Sequence, residues 1–102
     1  MTTMKAVRIH EYGAADVLTD EDAPRPSPGG VLIRVHATTV NPFDCAVRAG
    51  YLSAYFDYTL PLILGTDVSG VVEEVGTGVT RFAPGDDVCA RAGVTRDGAN
   101  AE

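Results

Sequence analysis

The side chains able to do acid, metal or nucleophilic chemistry are few and scattered. Two histidines, His10 and His36, and two cysteines, Cys45 and Cys89, are the whole supply of soft ligands in 102 residues. A zinc site needs three or four such groups converging, and the sequence holds no CxxC pair and no carboxylate placed to join the histidines. The histidines fall on the polar faces of separate strand patterns and read as solvated. The cysteines read as two small half-buried hydrophobes, because a single bridge between them is disfavoured in a reducing compartment. Gly76-Thr77-Gly78-Val79-Thr80-Arg81 imitates the start of a dinucleotide fingerprint. Arg81 replaces its third glycine, however, and Pro84-Gly85 blocks the helix whose N-terminus should hold a pyrophosphate. A hairpin turn is the expectation. What remains is the ordinary hydrogen-bonding chemistry of amides, hydroxyls, phenols and carboxylates.

The elements that must position these groups are short strands. Met4–His10 alternates, Val7 and Ile9 against Arg8 and His10, as a half-buried strand does. A turn over Tyr12–Asp16 leads to a short acidic strand, Val17–Ala23. Pro24, Pro26 and Pro28 with Gly29-Gly30 form a stiff connector, neither helix nor central strand. Val31–Val40 puts Val31, Ile33, Val35 and Ala37 on one face and is expected to be central. Asn41-Pro42-Phe43-Asp44 opens the one convincing helix, about two turns long. Asn41 is the N-cap, Pro42 the first helical residue, and Asp44 sits where a capping box needs an acceptor. Arg48 is spaced to pair with Asp44, and Gly50 is the C-terminal stop. Tyr51–Leu64 holds four of the seven aromatics without regular period, too hydrophobic for disorder and long enough to suggest function. Val68–Val75 and a segment from Val88 are further strands, the turns lying at Gly76–Gly78 and Pro84–Asp87. Together these indicate a mainly β fold, a small partly open barrel with one helical insert.

Composition narrows the partners. The net charge of −6 and pI near 4.7 argue against nucleic acid or an anionic membrane, since both require clustered Lys and Arg. No stretch reaches the roughly 20 apolar residues of a membrane span, and no signal-peptide hydrophobic region is visible. The expected compartment is the cytoplasm. A chain of this length supports one core, and several βαβ units of ~30 residues each do not fit beside it.

Three ordered pieces resemble a known pattern: Thr39-Val40-Asn41-Pro42-Phe43-Asp44 with Arg48-Ala49-Gly50; Leu60-Pro61-Leu62-Ile63-Leu64-Gly65-Thr66-Asp67-Val68-Ser69-Gly70-Val71-Val72; and Glu74-Val75-Gly76 through Phe82-Ala83-Pro84-Gly85-Asp86-Asp87-Val88. In this order and spacing the whole chain, 1–102, resembles the N-terminal GroES-like domain of medium-chain dehydrogenases/reductases. The branch it looks like is that of the zinc-independent quinone oxidoreductases and enone reductases. The zinc-dependent branch carries Cys where Asn41 stands and His-Glu where Thr66-Asp67 stands, and an amide and a hydroxyl are poor zinc ligands. The four-cysteine structural lobe is reduced to Cys89. No metal is therefore expected.

The resemblance implies NADPH as cofactor and a small quinone or α,β-unsaturated carbonyl as substrate. It places Asn41 beside the nicotinamide and substrate with Asp44 near it, and lets Thr66 offer a hydroxyl to the substrate oxygen. Tyr51, Tyr55 and Tyr58 would line the substrate cleft. Plainer readings stand beside these: Asn41 as cap alone, Asp44 as partner of Arg48, the tyrosines as packing, and Gly65 and Gly70 as conformational rather than ligand-facing. A related tyrosine two residues after the Asp44 position is Ala46 here. In the family a second, Rossmann domain binds the dinucleotide and a returning segment completes the barrel. The 102 residues are thus expected to be one wall of a cleft, inactive alone and apt to form homo-oligomers through an uncovered strand edge. The alternative is a stand-alone GroES-like binding module that catalyses nothing.

Overall fold

Alternating apolar residues and Gly/Pro breaks give six strands and one α-helix among the described residues. The computed structural model describes residues 3–27, 29–92 and 97–102. The strands are β1 (Thr3–Ile9), β2 (Leu18–Pro24), β3 (Val31–Thr38), β4 (Leu62–Ile63), β5 (Asp67–Val75) and β6 (Asp87–Arg91), and α1 spans Pro42–Ala49 between β3 and β4. A single 3₁₀ turn, Ala15–Val17, precedes β2. The pairings between these strands are antiparallel, in two three-stranded sheets ordered β2-β1-β4 and β3-β5-β6. The fold is mainly β with one helix, and the sheets do not close into a complete barrel.

The first sheet is covered on both faces. Leu62 and Ile63 are adjacent on β4, so their side chains leave on opposite sides. Leu62 joins Ile9, Val47 of α1 and Leu64 in one cluster, and Ile63 joins Ala6 and Ala23 in the other. Simple alternation hid this second core because its members are mostly alanines.

In the second sheet the expected order is corrected. β5, not β3, is central, and β3 is an edge strand ending at Thr38. The apolar side chains of β3 indicated burial, but which strand lies in the middle depends on long-range pairing that a local pattern does not encode. Val31, Ile33 and Val35 border an open cavity of about 1010 Å³, together with Val68 and Ala90. Residues 97–102 tie this sheet to the first. Ala101 bridges Ala6, Glu102 N–H donates to the Lys5 carbonyl at 2.9 Å, and Val35 N–H donates to the Glu102 carbonyl at 2.7 Å. Around the β3–β5 pair, Glu73 accepts from both Arg25 and Arg34.

α1 starts and stops where its sequence dictates. Asp44 Oδ2 accepts the Asn41 backbone N–H at 2.9 Å, and Gly50, at φ 89°, closes the C-terminus onto the carbonyls of Ala46 and Val47. The expected Asp44–Arg48 pair is not what these groups make. Asp44 is buried in the cap, while Arg48 Nε donates to the Gly13 carbonyl at 3.2 Å and the Gly13 N–H donates back to the Arg48 carbonyl at 2.9 Å. Arg48 therefore pins the turn after β1 onto the helix. Cys45 and Cys89 are both free and exposed rather than half-buried. His10 is exposed and pairs with Glu21, which Arg8 also reaches at 2.9 Å. These two partners, His10 and then Arg8, hold the Glu21 carboxyl below the usual range.

Candidate functional site

The site grows from the junction of β3, α1 and β5. Pairing Thr38 with Val68 brings the end of β3 against the first residue of β5. Two consecutive threonines then reach the same residue. Thr38 Oγ1 donates to the Asp67 carbonyl at 2.7 Å, and Thr39 Oγ1 donates to Asp67 Oδ2 at 2.9 Å. Asn41 completes the cluster, its Nδ2 lying 3.1 Å from Thr39 Oγ1 and 3.0 Å from Asp67 Oδ2. Hydrogen bonds from Thr39 and then Asn41 hold the Asp67 carboxyl below its ordinary value, partly opposed by desolvation and assisted by the charge of Arg91. Each of these bonds favours the ionised form.

Asn41 thus takes part in two structures at once. Its main-chain N–H is satisfied by Asp44 in the helix cap, and its side-chain nitrogen faces Asp67. Thr66 is adjacent to Asp67, and its carbonyl accepts the Ala92 N–H at 2.6 Å, fixing it between β5 and the segment after β6. Of the residues singled out in the sequence, Asn41, Asp44 and Thr66 are therefore gathered at one end of the β3–β5 pair. Asp44 is 4% exposed, with its carboxylate engaged in the cap.

The tyrosines are not gathered there as a set. Tyr51 and Tyr55 stand 77% and 79% exposed beyond the C-terminus of α1. Tyr58 packs against the Ile9–Val47–Leu62–Leu64 core, with its ring centroid 6.0 Å from that of Phe56. Its hydroxyl is buried without a hydrogen-bond partner among the described residues, and burial pushes its pKa up. The glycines serve close packing of protein on protein. A Cβ at Gly65 would lie 2.7 Å from Asn100 Oδ1, and one at Gly70 would lie 2.0 Å from the Arg34 carbonyl oxygen.

Two members of the cluster, Thr39 and Asp67, carry no role in the sequence pattern alone. The available signal was the Thr-Thr pair ending one strand and an acid opening another. It becomes meaningful only once those strands are aligned.

Gly76–Asp86 is the connection between the antiparallel strands β5 and β6, a hairpin as expected, with no helix in it to receive a pyrophosphate. Among the described residues, no group of three or more His, Cys, Asp and Glu is placed to hold a metal ion. No helix of the described residues is long and apolar enough to cross a membrane.

Residues 27–101 match the family of alcohol dehydrogenase GroES-like domains. The chain belongs to that family, and so to the medium-chain dehydrogenase/reductase superfamily. It is 42% identical to the quinone oxidoreductase of Rattus norvegicus over 88 residues, which is 83% of this chain and 26% of that protein. Among solved structures it is similar to the quinone oxidoreductase of Coxiella burnetii, with a TM-score of 0.85 and 34% identity over 99% of this chain and 33% of that one. A thermostable alcohol dehydrogenase from Pyrobaculum aerophilum gives a TM-score of 0.87 and 31% identity over 99% of this chain and 38% of that one. The two quinone oxidoreductases fit the assignment of the domain to the quinone oxidoreductase-like branch. The chain spans about a quarter of the length of the rat relative.

Proposed function

We propose that this domain is the catalytic-type wall of an NADPH-dependent, zinc-independent oxidoreductase that reduces quinones or α,β-unsaturated carbonyl compounds in the cytoplasm. The observation that carries the reading is the Thr39–Asn41–Asp67 cluster with Thr66 beside it, in a chain similar to quinone oxidoreductases. Neutral hydrogen-bonding groups stand where the zinc-dependent members place thiolate and imidazole, and such groups suit a carboxamide or a carbonyl better than a metal. NADPH would supply the hydride, and the accompanying proton would come from a hydroxyl or from water. The domain's own part is to orient the reactants: Asn41 and Thr66 border the cofactor and substrate, and Thr66 Oγ1 donates to the substrate oxygen. Tyr51 and Tyr55, both exposed, are free to offer aromatic faces to a quinone, while Tyr58 packs in the core of the first sheet.

Alone, the 102 residues are expected not to turn over. Hydride transfer needs donor and acceptor about 3–3.5 Å apart, positioning that accounts for roughly 7–11 kcal/mol of the barrier. One or two hydrogen bonds of about 0.5–1.5 kcal/mol each do not retain a dinucleotide. Titration of NADPH fluorescence should give a millimolar or weaker affinity, about 4 kcal/mol or less. Micromolar binding, or turnover of a quinone or enone by the chain itself, would overturn the single-wall reading. Millimolar binding that Asn41→Ala abolishes supports the assigned site, and binding indifferent to that change leaves only a binding module.

A further inference from the structure

An asparagine side chain carries two amide hydrogens at one end and a carbonyl oxygen at the other, and here both hydrogens have partners inside the protein. Asn41 Nδ2 donates to Thr39 Oγ1 at 3.1 Å and to Asp67 Oδ2 at 3.0 Å, while Thr39 Oγ1 donates to the same carboxylate oxygen at 2.9 Å. A carboxylate only accepts, so it tolerates the nitrogen end of the amide and repels the oxygen end. The two orientations of the amide are therefore unequal. Thr38 Oγ1, bonded to the Asp67 carbonyl at 2.7 Å, fixes the main chain from which that carboxylate projects. The charge that faces Asp67 from the neighbouring strand β6 is Arg91, which favours the ionised, purely accepting form.

We propose that Asp67 is a positioning residue: it turns the amide hydrogens of Asn41 inward and leaves the carbonyl Oδ1 as the group Asn41 offers to a ligand. Asn41 is then a hydrogen-bond acceptor for an N–H or O–H group, such as the carboxamide of a nicotinamide ring, and not a donor that polarises a substrate carbonyl. The Asp44 and Cys45 N–H groups of the first helical turn donate to the Asn41 main-chain carbonyl, and a side-chain carbonyl oxygen has two lone pairs with which to accept from a ligand. The task of donating to a substrate oxygen passes to Thr66. This assignment rests on the reading that Asn41 borders the nicotinamide.

The test is a reciprocal exchange. Asn41→Asp combined with Asp67→Asn reverses the pair: the amide hydrogens now come from position 67, and an oxygen acceptor still stands at position 41. Reduced nicotinamide mononucleotide is titrated into the 102-residue chain and its variants, followed by amide chemical shifts. The exchanged pair should bind within about threefold of the unaltered chain, whereas Asn41→Ala and Asp67→Ala should each weaken binding by about tenfold, the order expected for one lost hydrogen bond. An exchanged pair as weak as Asn41→Ala, with its backbone spectrum intact, shows that the amide hydrogens are what the ligand needs and overturns the proposal. If the unaltered chain binds no reduced nicotinamide mononucleotide, which the single-wall reading allows, the side-chain spectrum alone judges the lock. The Asn41 NH₂ pair should then exchange slowly with water and lose that protection in Asp67→Ala while the α1 backbone signals stay in place. An Asn41 pair exchanging like a free asparagine in the unaltered chain overturns the lock itself.

Discussion

The α-carbon of Gly70 faces the Arg34 main-chain carbonyl so closely that a Cβ at Gly70 would stand 2.0 Å from the oxygen. The approach lies beside the irregular step in the β3–β5 register between Val35 and Ala37. Gly70→Ala must push these strands apart at the centre of the second sheet, at a cost of about 1–3 kcal/mol or more. Each kcal/mol lowers Tm by roughly 4–8 °C in a domain of this size. Gly30→Ala, where nothing lies within 4 Å, should stay within about 0.5 kcal/mol. Thermal melts of the two variants decide it, and equal effects would show that the close approach does not constrain the sheet.

How much of this was legible beforehand follows from the range of each interaction. The limits of α1 were readable because Asn41, Pro42, Asp44 and Gly50 act within a turn of the chain. The strands were readable because alternation is local, and the GroES-like fold because three motifs occur in order. The partner of Arg48 was not readable: Gly13 lies 35 residues away, and a helix-surface spacing rule gave Asp44 instead. Nor was the Thr39–Asn41–Asp67 cluster, whose members meet only after β3 and β5 pair. The two-residue strand β4 was lost in an aromatic-rich loop, since it forms by adding to β1 rather than by its own propensity.

Acid should destabilise the domain. The carboxyls of Glu21, Asp67 and Glu73 lie below their ordinary values, Glu73 through Arg34 and then Arg25. A folded value below the unfolded one means stability present above the unfolded value, about 4, and lost as pH falls through the folded values. Melting temperature should be level from neutrality to about pH 5 and fall below it, the midpoints lying in the acid range. Glu73→Gln should flatten that decline. A decline of unchanged steepness would show that the Arg25–Glu73–Arg34 cluster does not contribute.

Zinc should not copurify stoichiometrically. The donors at the junction are an amide, hydroxyls, the Asp67 carboxylate and the Asp44 carboxylate already engaged in the helix cap, a set that suits zinc poorly. Elemental analysis of chelator-free protein should find well under one zinc per chain, and one per chain would reverse the assignment of Asn41 and Thr66.

Self-association is expected through strand edges. β3 is an edge strand whose apolar residues border the open cavity, and such an edge is a template for pairing. The net charge of −6 keeps the protein soluble without preventing this. Light scattering should show a mass that rises with concentration. A constant monomeric mass at high concentration would show the edge to be protected.

The link through Glu102 has a consequence for how the molecule opens. Both buried clusters lie on the first sheet with α1, whereas the second sheet contributes Val72 as its fully buried side chain. Between them, one residue accepts from Val35 and donates to Lys5. Elements with little buried apolar surface exchange their amide hydrogens through local opening, well before global unfolding. The two sheets should therefore behave as separate cooperative units, with amides of β3 and β6 exchanging first and those of β1 last. The Val35 amide, alone on its strand in reaching Glu102, would report the moment the units part.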